Sequence, residues 1–438
     1  MNIDFLINKF NSIKKDEAIV YQNKPYTYGW LIDRIEFWSK KLNIKKKSVV
    51  ALESDFTPDS IAMFLMLVKN NNIIVPLSSA SESNKINFLD ISKSHYTIKN
   101  NEVINLIRSD SHEYYKKLNK KNTAGLVVFS SGSTGESKAS VHDMMPILNK
   151  FKVPKRKYRS LIFLLFDHLG GINTMLYSLS NGGCLIIPEQ RNPKYVLETI
   201  QDHNVELLPT TPSFLNIMIF SELYKKYDLS SLKIISYGTE IMHEHTLNKL
   251  NEIFPNVKLL QTYGLSELGV MRSKSESNNS LWVKIGGEQF KTRVIKNKLE
   301  IKSDSAMLGY LNADSPFTND GWFKTNDLVE TKDEYFKILG RQSEIINVGG
   351  EKVYPSEIEN LLLQMNEIED VSIFSEKNMI LGNIVCAKIK LKNDILQKTF
   401  KQMLKLFCKG KIEKYKIPMK LYFSDNVYNN RYKKIRRI

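Results

Sequence analysis

The stretch FSSGSTGESKAS, Phe129 to Ser140, follows the apolar run GLVV at 125–128 and decides how the chain is read. Nine of its twelve residues are Ser, Gly, Thr or Ala, and Lys138 stands near its end. The apolar run reads as a buried strand. Small residues in succession let backbone N–H groups and hydroxyls wrap a polyphosphate, with lysine as a point charge. A plain Ser/Gly surface loop is the competing reading. A Walker-type loop needs Gly, four residues, then Gly-Lys-Ser/Thr. Here Gly135 follows Gly132 by three positions, Lys138 comes three later, and Ala139 follows it. That spacing excludes the Walker loop and leaves phosphate binding of another kind.

Outward from this stretch, strand and helix signals alternate. TYGWLIDRIEFWSKKL carries a helical stripe (Leu31, Ile32, Ile35, Trp38, Leu42), VVALE reads as a strand, and DSIAMFLMLVKNN as a helix opened by Asp59. IIVPLS, SLIFLLF, GCLIIP, VELLPT, LKIISYG and VKLLQTYG are further short apolar runs, mostly separated by helical segments. The alternation predicts doubly wound α/β layers, which bind ligands beyond the carboxyl ends of their strands. From Trp282 the pattern becomes period-two with turn residues, a small β-barrel-like part. Near 338–344 it changes again, to helix YPSEIENLLLQM, strands VSIFSE and IVCAKIKL, helix KTFKQMLKLFCKGKI and strand KLYFSD. The expected fold is α/β: a large N-terminal domain, 1–339, followed by a small mobile α+β lid, 340–438.

Composition bounds the function. The 438 residues are 42% hydrophobic and 25% charged, ordinary globular values that fit two or three domains. There is no apolar run of 18 residues, so no membrane span is expected. Cys184, Cys386 and Cys408 have neither metal-ligand nor CxxC spacing and fit a reducing cytoplasm. The net charge is +16, and from Lys388 onward 16 Lys and Arg face 3 Asp and Glu. That excess suits a nucleotide, coenzyme A or an acidic carrier protein, or is simply a solvated face. Without aromatic interleaving or a motif, it makes no case for nucleic acid.

Four further stretches carry chemistry: LLQTYGLSELG (259–269), GWFKTNDLVE (321–330), LGRQSEIINVGGEKVYPSEIE (339–359) and NNRYKKIRRI (429–438). In the first, Ser266 and Glu267 project where a helix should start; Glu267 is a candidate for holding Mg²⁺ through a phosphate-bound ion, and Tyr263 offers a flat face to a purine. Asp327 in the second could accept ribose hydroxyls. Gly349-Gly350 in the third makes a tight turn. Each alone reads equally as a cap, a turn or a frayed tail. Their order, after the Phe129–Ser140 loop, resembles the adenylate-forming superfamily: acyl-CoA synthetases, firefly luciferases and the adenylation domains of peptide synthetases. The resemblance runs from about residue 18 to the end. It includes DHLGGINTMLYSL, similar to the family's HxxG segment, and ISYGTEIM, similar to its adenine-binding turn.

The resemblance implies ATP-dependent activation of a carboxylic acid to an acyl-adenylate, with release of pyrophosphate. Transfer to a thiol follows, of coenzyme A or of carrier phosphopantetheine, with the lid turning between the halves. It implies that Ser130, Ser131, Gly132, Ser133, Thr134, Gly135 and Lys138 hold the β- and γ-phosphates. Gly238, Thr239 and Glu240 would line adenine, with Tyr263 stacked on it. Ser266 would meet the α-phosphate, Glu267 Mg²⁺, and Asp327 with Arg341 the ribose. Lys434 would bridge carboxylate and ATP, compensating charge at the α-phosphate. His168, Gly171 and Asp167 would belong to the acid pocket, and Gly349 and Gly350 to the thiol channel. The chain departs from the family at several positions: Ser133 stands where Thr is common, Ser137-Lys138-Ala139 where Pro-Lys-Gly is common, TND replaces TGD at 325–327, Ser343 replaces the usual Asp or Lys at the lid hinge, and Lys433 replaces the Gly before the catalytic lysine. Asp167 invites the alternative of an amino-acid-activating enzyme loading a stand-alone carrier, but the HxxG fit favours a non-amino acid. A non-catalytic nucleotide-binding relative is a further alternative. Any carrier protein would act in trans.

Overall fold

The computed structural model describes all residues except 1–2, 107–110, 132–135, 288, 380, 394, 425–426, 430, 433 and 435–438, together with the side chain of Ser131. Elements and absences below concern the described residues.

Two seven-stranded sheets form the N-terminal part. The first runs parallel through Lys258–Gln261, Ile234–Tyr237, Leu207–Thr210, Arg159–Leu161, Cys184–Ile187 and Glu17–Tyr21, with Lys24–Thr27 antiparallel at its edge. The second has Val49–Glu53, Ile73–Leu77, Tyr96–Lys99 and Gly125–Ser131 in parallel, with Ser137–Asp143 returning antiparallel beside the last. One hydrophobic core joins the inner faces of both sheets and the helices between them. Helix Pro58–Lys69 lies in that layer and buries Pro58 and every residue from Ser60 to Val68. A helix apolar on all sides is stable only when covered all round, and its sequence meets that demand. Its start differs from the expectation: Thr57 is the N-cap and forms a capping box with Ser60, while Asp59 lies in the first turn.

On either side of residues 132–135 the chain runs as two antiparallel strands, Gly125–Ser131 and Ser137–Asp143. Ser130 pairs with Lys138 and Ser131 with Ser137. A Walker loop leads from strand to helix, so this strand-to-strand course agrees with its exclusion. A six-stranded antiparallel sheet then spans Ser273 to Arg341. Its strand Tyr335–Arg341 pairs with Phe323–Lys332, setting Asp327 opposite Arg341. The lid sheet starts at Ile346–Val348 and carries helices Pro355–Leu362 and Gln397–Cys408. The change of sheet therefore falls within 342–345. The lid has its own core, built on Ile358, Val371, Ile373, Val385 and Phe400.

Candidate active site

The ends of the first sheet's strands open into a cavity of about 680 Å³. Pro209, Thr210, Ser236, Gly238, Thr239, Thr262 and Gly264 line it, the crevice that doubly wound sheets provide. Gly238 is required by close packing: a Cβ there would lie 2.5 Å from the Thr262 hydroxyl and 2.6 Å from its carbonyl oxygen.

Polar groups suited to phosphate gather on one side. Ser130, Ser137 and Lys138 reach the cavity from strands Gly125–Ser131 and Ser137–Asp143, and Ser266, Glu267, Tyr310 and Arg341 face it. Lys138 Nζ sits 5.3 Å from the Tyr310 ring centre, and Tyr310 Oη donates to Glu267 Oε1 at 2.6 Å. Gly132, Ser133, Thr134 and Gly135 lie outside the described residues. Ser266 and Glu267 do not begin a helix; they form the turn of a tight hairpin between Gly264–Leu265 and Gly269–Val270. His142 fixes that turn from behind, its Nε2–H donating to the Ser266 carbonyl at 2.6 Å. Burial pushes the His142 imidazole down to about 4, so the ring stays neutral.

Tyr263 and Asp327 come together, though not at the cavity surface. Tyr263 is packed in the core of the antiparallel sheet, and its hydroxyl donates to Asp327 Oδ2. Arg341 Nε donates to the other carboxylate oxygen at 3.2 Å. Burial raises the Asp327 carboxyl, against the pull of Arg341 and Tyr263. Of the three, Arg341 reaches the cavity, beside Gln342 and Ser343.

Helix Leu169–Ser180 supplies another wall. His168 is its N-cap, with Nδ1 accepting from Gly170 N at 3.0 Å, and His168, Gly170, Asn173 and Thr174 line the cavity. Gly171 makes room for the chain, not for a ligand: a Cβ there would lie 2.2 Å from the Leu165 carbonyl oxygen. Asp167 is buried beside this wall. Arg431 holds it with two bonds, Nη1–Oδ1 at 2.9 Å and Nη2–Oδ2 at 2.7 Å, and Ser81 Oγ adds one at 2.5 Å. Burial is the largest single influence and opposes its charge, but Arg431 together with the Ser81 and Ser78 hydroxyls holds the carboxyl below the usual range.

The expectation that Lys434 faces the nucleotide is not met in this arrangement. Lys434 Nζ contacts the Val371 carbonyl at 2.9 Å and His243 Nε2 at 3.0 Å, and lies 3.6 Å from Glu359 and 3.5 Å from Asp370. Both carboxylates are buried, and a buried carboxylate demands a cation. Glu240 is turned the same way, accepting from Lys434 N at 2.9 Å and from Ser213 Oγ at 2.6 Å. The tail residues that do line the cavity are Asn429 and Arg431. Gly349 and Gly350, at φ +60° and +96°, form an exposed lid turn outside the cavity lining. Sequence reasoning missed Arg431, whose signal was a cationic position three residues upstream of Lys434. It also missed Tyr310, which nothing in MLGYLN marks.

Residues 90–287 match the family model described as AMP-binding enzyme. The chain is 26% identical over 336 residues to the mitochondrial medium-chain acyl-CoA ligase ACSF2 of Mus musculus, covering 68% of this chain and 54% of that one. It is 25% identical over 340 residues to the indoleacetate–CoA ligase of Aromatoleum aromaticum, covering 71% and 66%. The chain thus spans about half to two thirds of the length of these relatives. The crystal structure of the anthranilate CoA ligase AuaEII with anthranoyl-AMP superposes with a TM-score of 0.81 over 99% of this chain and 95% of that one, at 15% identity. At that identity the likeness speaks for the fold.

Proposed function

We propose that the chain, which is similar to AMP-binding enzymes over residues 90–287 and to acyl-CoA ligases, activates a carboxylic acid with ATP. The products of the first step are an acyl-adenylate and pyrophosphate. The acyl group then passes to the thiol of coenzyme A or of a carrier phosphopantetheine, as a thioester. The carrying observation is the cavity itself, which joins a phosphate side (Ser130, Lys138, Ser266, Glu267) to an acid side (His168, Asn173). In this reading residues 1–339 bind ATP and acid, and residues 340–438 are the lid. Gly238 and Thr239 contact adenine, and Asp327 positions Arg341 for the ribose.

A magnesium ion fits at Glu267. Among the described residues no group of three His, Cys, Asp or Glu could hold a metal alone. Tyr310 engages one Glu267 oxygen, which leaves the other for an ion that is mainly coordinated by phosphate and water, as Mg²⁺ prefers. Bound there, the ion would neutralise phosphate charge.

Arg431 is the described tail cation at the acid side, and we assign it the task of drawing the tail into the cavity. Lys434 locks the lid to the N-terminal part. Asp167 is committed to Arg431 and Ser81, which leaves it no role toward a substrate ammonium and favours a non-amino acid. Three buried, free cysteines suit a reducing cytoplasm. Pyrophosphate release, screened over fatty, aromatic, hydroxy, dicarboxylic and amino acids with hydroxylamine trapping, tests the proposal. Acid-dependent release with hydroxamate formation is expected. Nucleotide binding without release for any acid would instead identify a non-catalytic relative.

A further inference from the structure

Lys150 is a cation that the activation chemistry does not use. It follows helix Met144–Asn149 and is only partly exposed. Its ammonium donates to Asn173 Oδ1 at 2.5 Å and to the Val270 carbonyl at 3.2 Å. The partners described for it are this amide oxygen and this carbonyl, and no ion pair with a carboxylate is among them. Its charged neighbours are Lys155 and, beyond that, Arg272, so they add to the positive potential. Burial, then Lys155, push the Lys150 ammonium down to about 7. A half-buried lysine among cations is costly unless an anion joins it.

The two acceptors of Lys150 both belong to residues that line the cavity. As an ammonium Lys150 only donates, so Asn173 turns its oxygen to it. That orientation leaves the Asn173 amide N–H₂, which has no partner among the described residues, for a ligand in the cavity. Asn173 lies five residues along the helix from His168, about 7 Å at 1.5 Å per residue. An acid bound with its reacting carboxylate near His168 therefore has a distal end, a few bonds away, at Asn173.

We infer that the acid carries a second carboxylate at its far end, received by the Asn173 amide with the Lys150 charge behind it. The substrate class is a short dicarboxylic acid, and Lys150 is a positioning residue acting through Asn173. This rests on the acid-activation reading above.

The test uses the full chain and compares dicarboxylic acids of three to eight carbons with monocarboxylic acids of equal length. Acid-dependent pyrophosphate release gives kcat/KM for each. For the wild type, one diacid should exceed its matched monoacid at least tenfold. Lys150→Met and Asn173→Ala should each reduce that ratio tenfold or more, chiefly through KM, and Lys150→Arg should restore part of it. A wild type that prefers monoacids, or a ratio unmoved by either variant, overturns the inference. If no acid supports release, calorimetric binding of the same diacids decides. Diacid binding that weakens in Lys150→Met upholds the subsite while the activation reading fails. Equal binding by both proteins, or none, overturns it. Should Lys150→Met not fold, Asn173→Ala and Lys150→Arg carry the comparison.

Discussion

Two lysines, Lys434 between the C-terminal sheet and the N-terminal part and Lys150 behind the cavity wall at Asn173, meet opposite surroundings. Lys434 has two buried carboxylates, a histidine and a carbonyl. Lys150 has a carbonyl, an amide oxygen and the Phe151 ring at 4.9 Å. A buried cation with its counter-charges is part of the scaffold. A buried cation without them is poised for a charge that arrives from outside. The same substitution at the two positions should therefore have very different consequences.

The largest effect is expected at Lys434. Lys434→Met leaves Asp370 buried without its cation and Glu359 with only His243 at 3.5 Å, and breaking such a pair from one side costs about 3–5 kcal/mol. Burial already raises the Asp370 carboxyl to about 6, despite Lys434 nearby. Denaturant unfolding should show the loss, and adding Asp370→Asn should recover part of it. An unchanged midpoint in Lys434→Met would break the contrast between the two lysines at once.

Arg431 comes next and separates the tail's two cations. Arg431→Ala removes both bonds to Asp167 and the tail's charge at the cavity. Acid-dependent pyrophosphate release should fall about a hundredfold, a value typical for one charge-stabilising group. ATP binding, measured by calorimetry, should hardly change, because the phosphate-side groups lie on other elements. A hundredfold loss in Lys434→Met with an undisturbed fold, against none in Arg431→Ala, would return the catalytic task to Lys434.

How far the sequence could be read follows the same division. The layered α/β fold was legible because helix and strand periodicities are local. That Ser130 and Lys138 would reach a ligand cavity was legible because small residues and a lysine cluster there in the sequence. Misplacements arose where position depends on distant packing. Tyr263 has a flat ring, but its hydroxyl is drawn to Asp327, 64 positions away, and the ring is buried. Gly171 suggests space for a ligand, yet the Leu165 carbonyl occupies that space. Lys434 carried the expected motif, while the buried Glu359 and Asp370 that hold it belong to a domain whose docking no local pattern records. Asn173 and Lys150 gave no signal at all, since an unpaired lysine looks like any other until its surroundings are known.

His142 shows a third way of burying a base, by keeping it neutral. Its folded pKa lies near 4 through burial, against about 6.5 unfolded. Below 6.5 the unfolded chain takes up a proton that the folded one refuses. Stability is therefore lost as pH falls from about 6.5 to about 4, at up to about 1.4 kcal/mol per pH unit. His142→Asn can still donate to the Ser266 carbonyl but does not titrate. Over the single unit from 6.5 to 5.5, wild type should lose about 1 kcal/mol relative to the variant. A constant difference across that range would remove the neutral-base reading.

The smallest effect is the other half of the opening contrast. Lys150→Met deletes two hydrogen bonds and leaves the Asn173 oxygen and the Val270 carbonyl to find other donors. It also deletes a desolvated charge facing Lys155 and Arg272, and that relief opposes the loss. Near pH 7 the two should cancel to within about 1 kcal/mol, well short of the cost at Lys434. The sign of the pH trend is sharper than the size. Lys150 has a folded pKa near 7 and an unfolded one near 10.4, so the unfolded chain binds the extra proton between those values. Wild-type stability then rises with pH across that window, and Lys150→Met should do best against wild type at its lower end. A bound dicarboxylate should reverse this by holding Lys150 charged, so that wild type gains stability on adding diacid near pH 7 and Lys150→Met does not. Equal stabilisation of both proteins by the diacid would mean that Lys150, like Lys434, serves the fold alone.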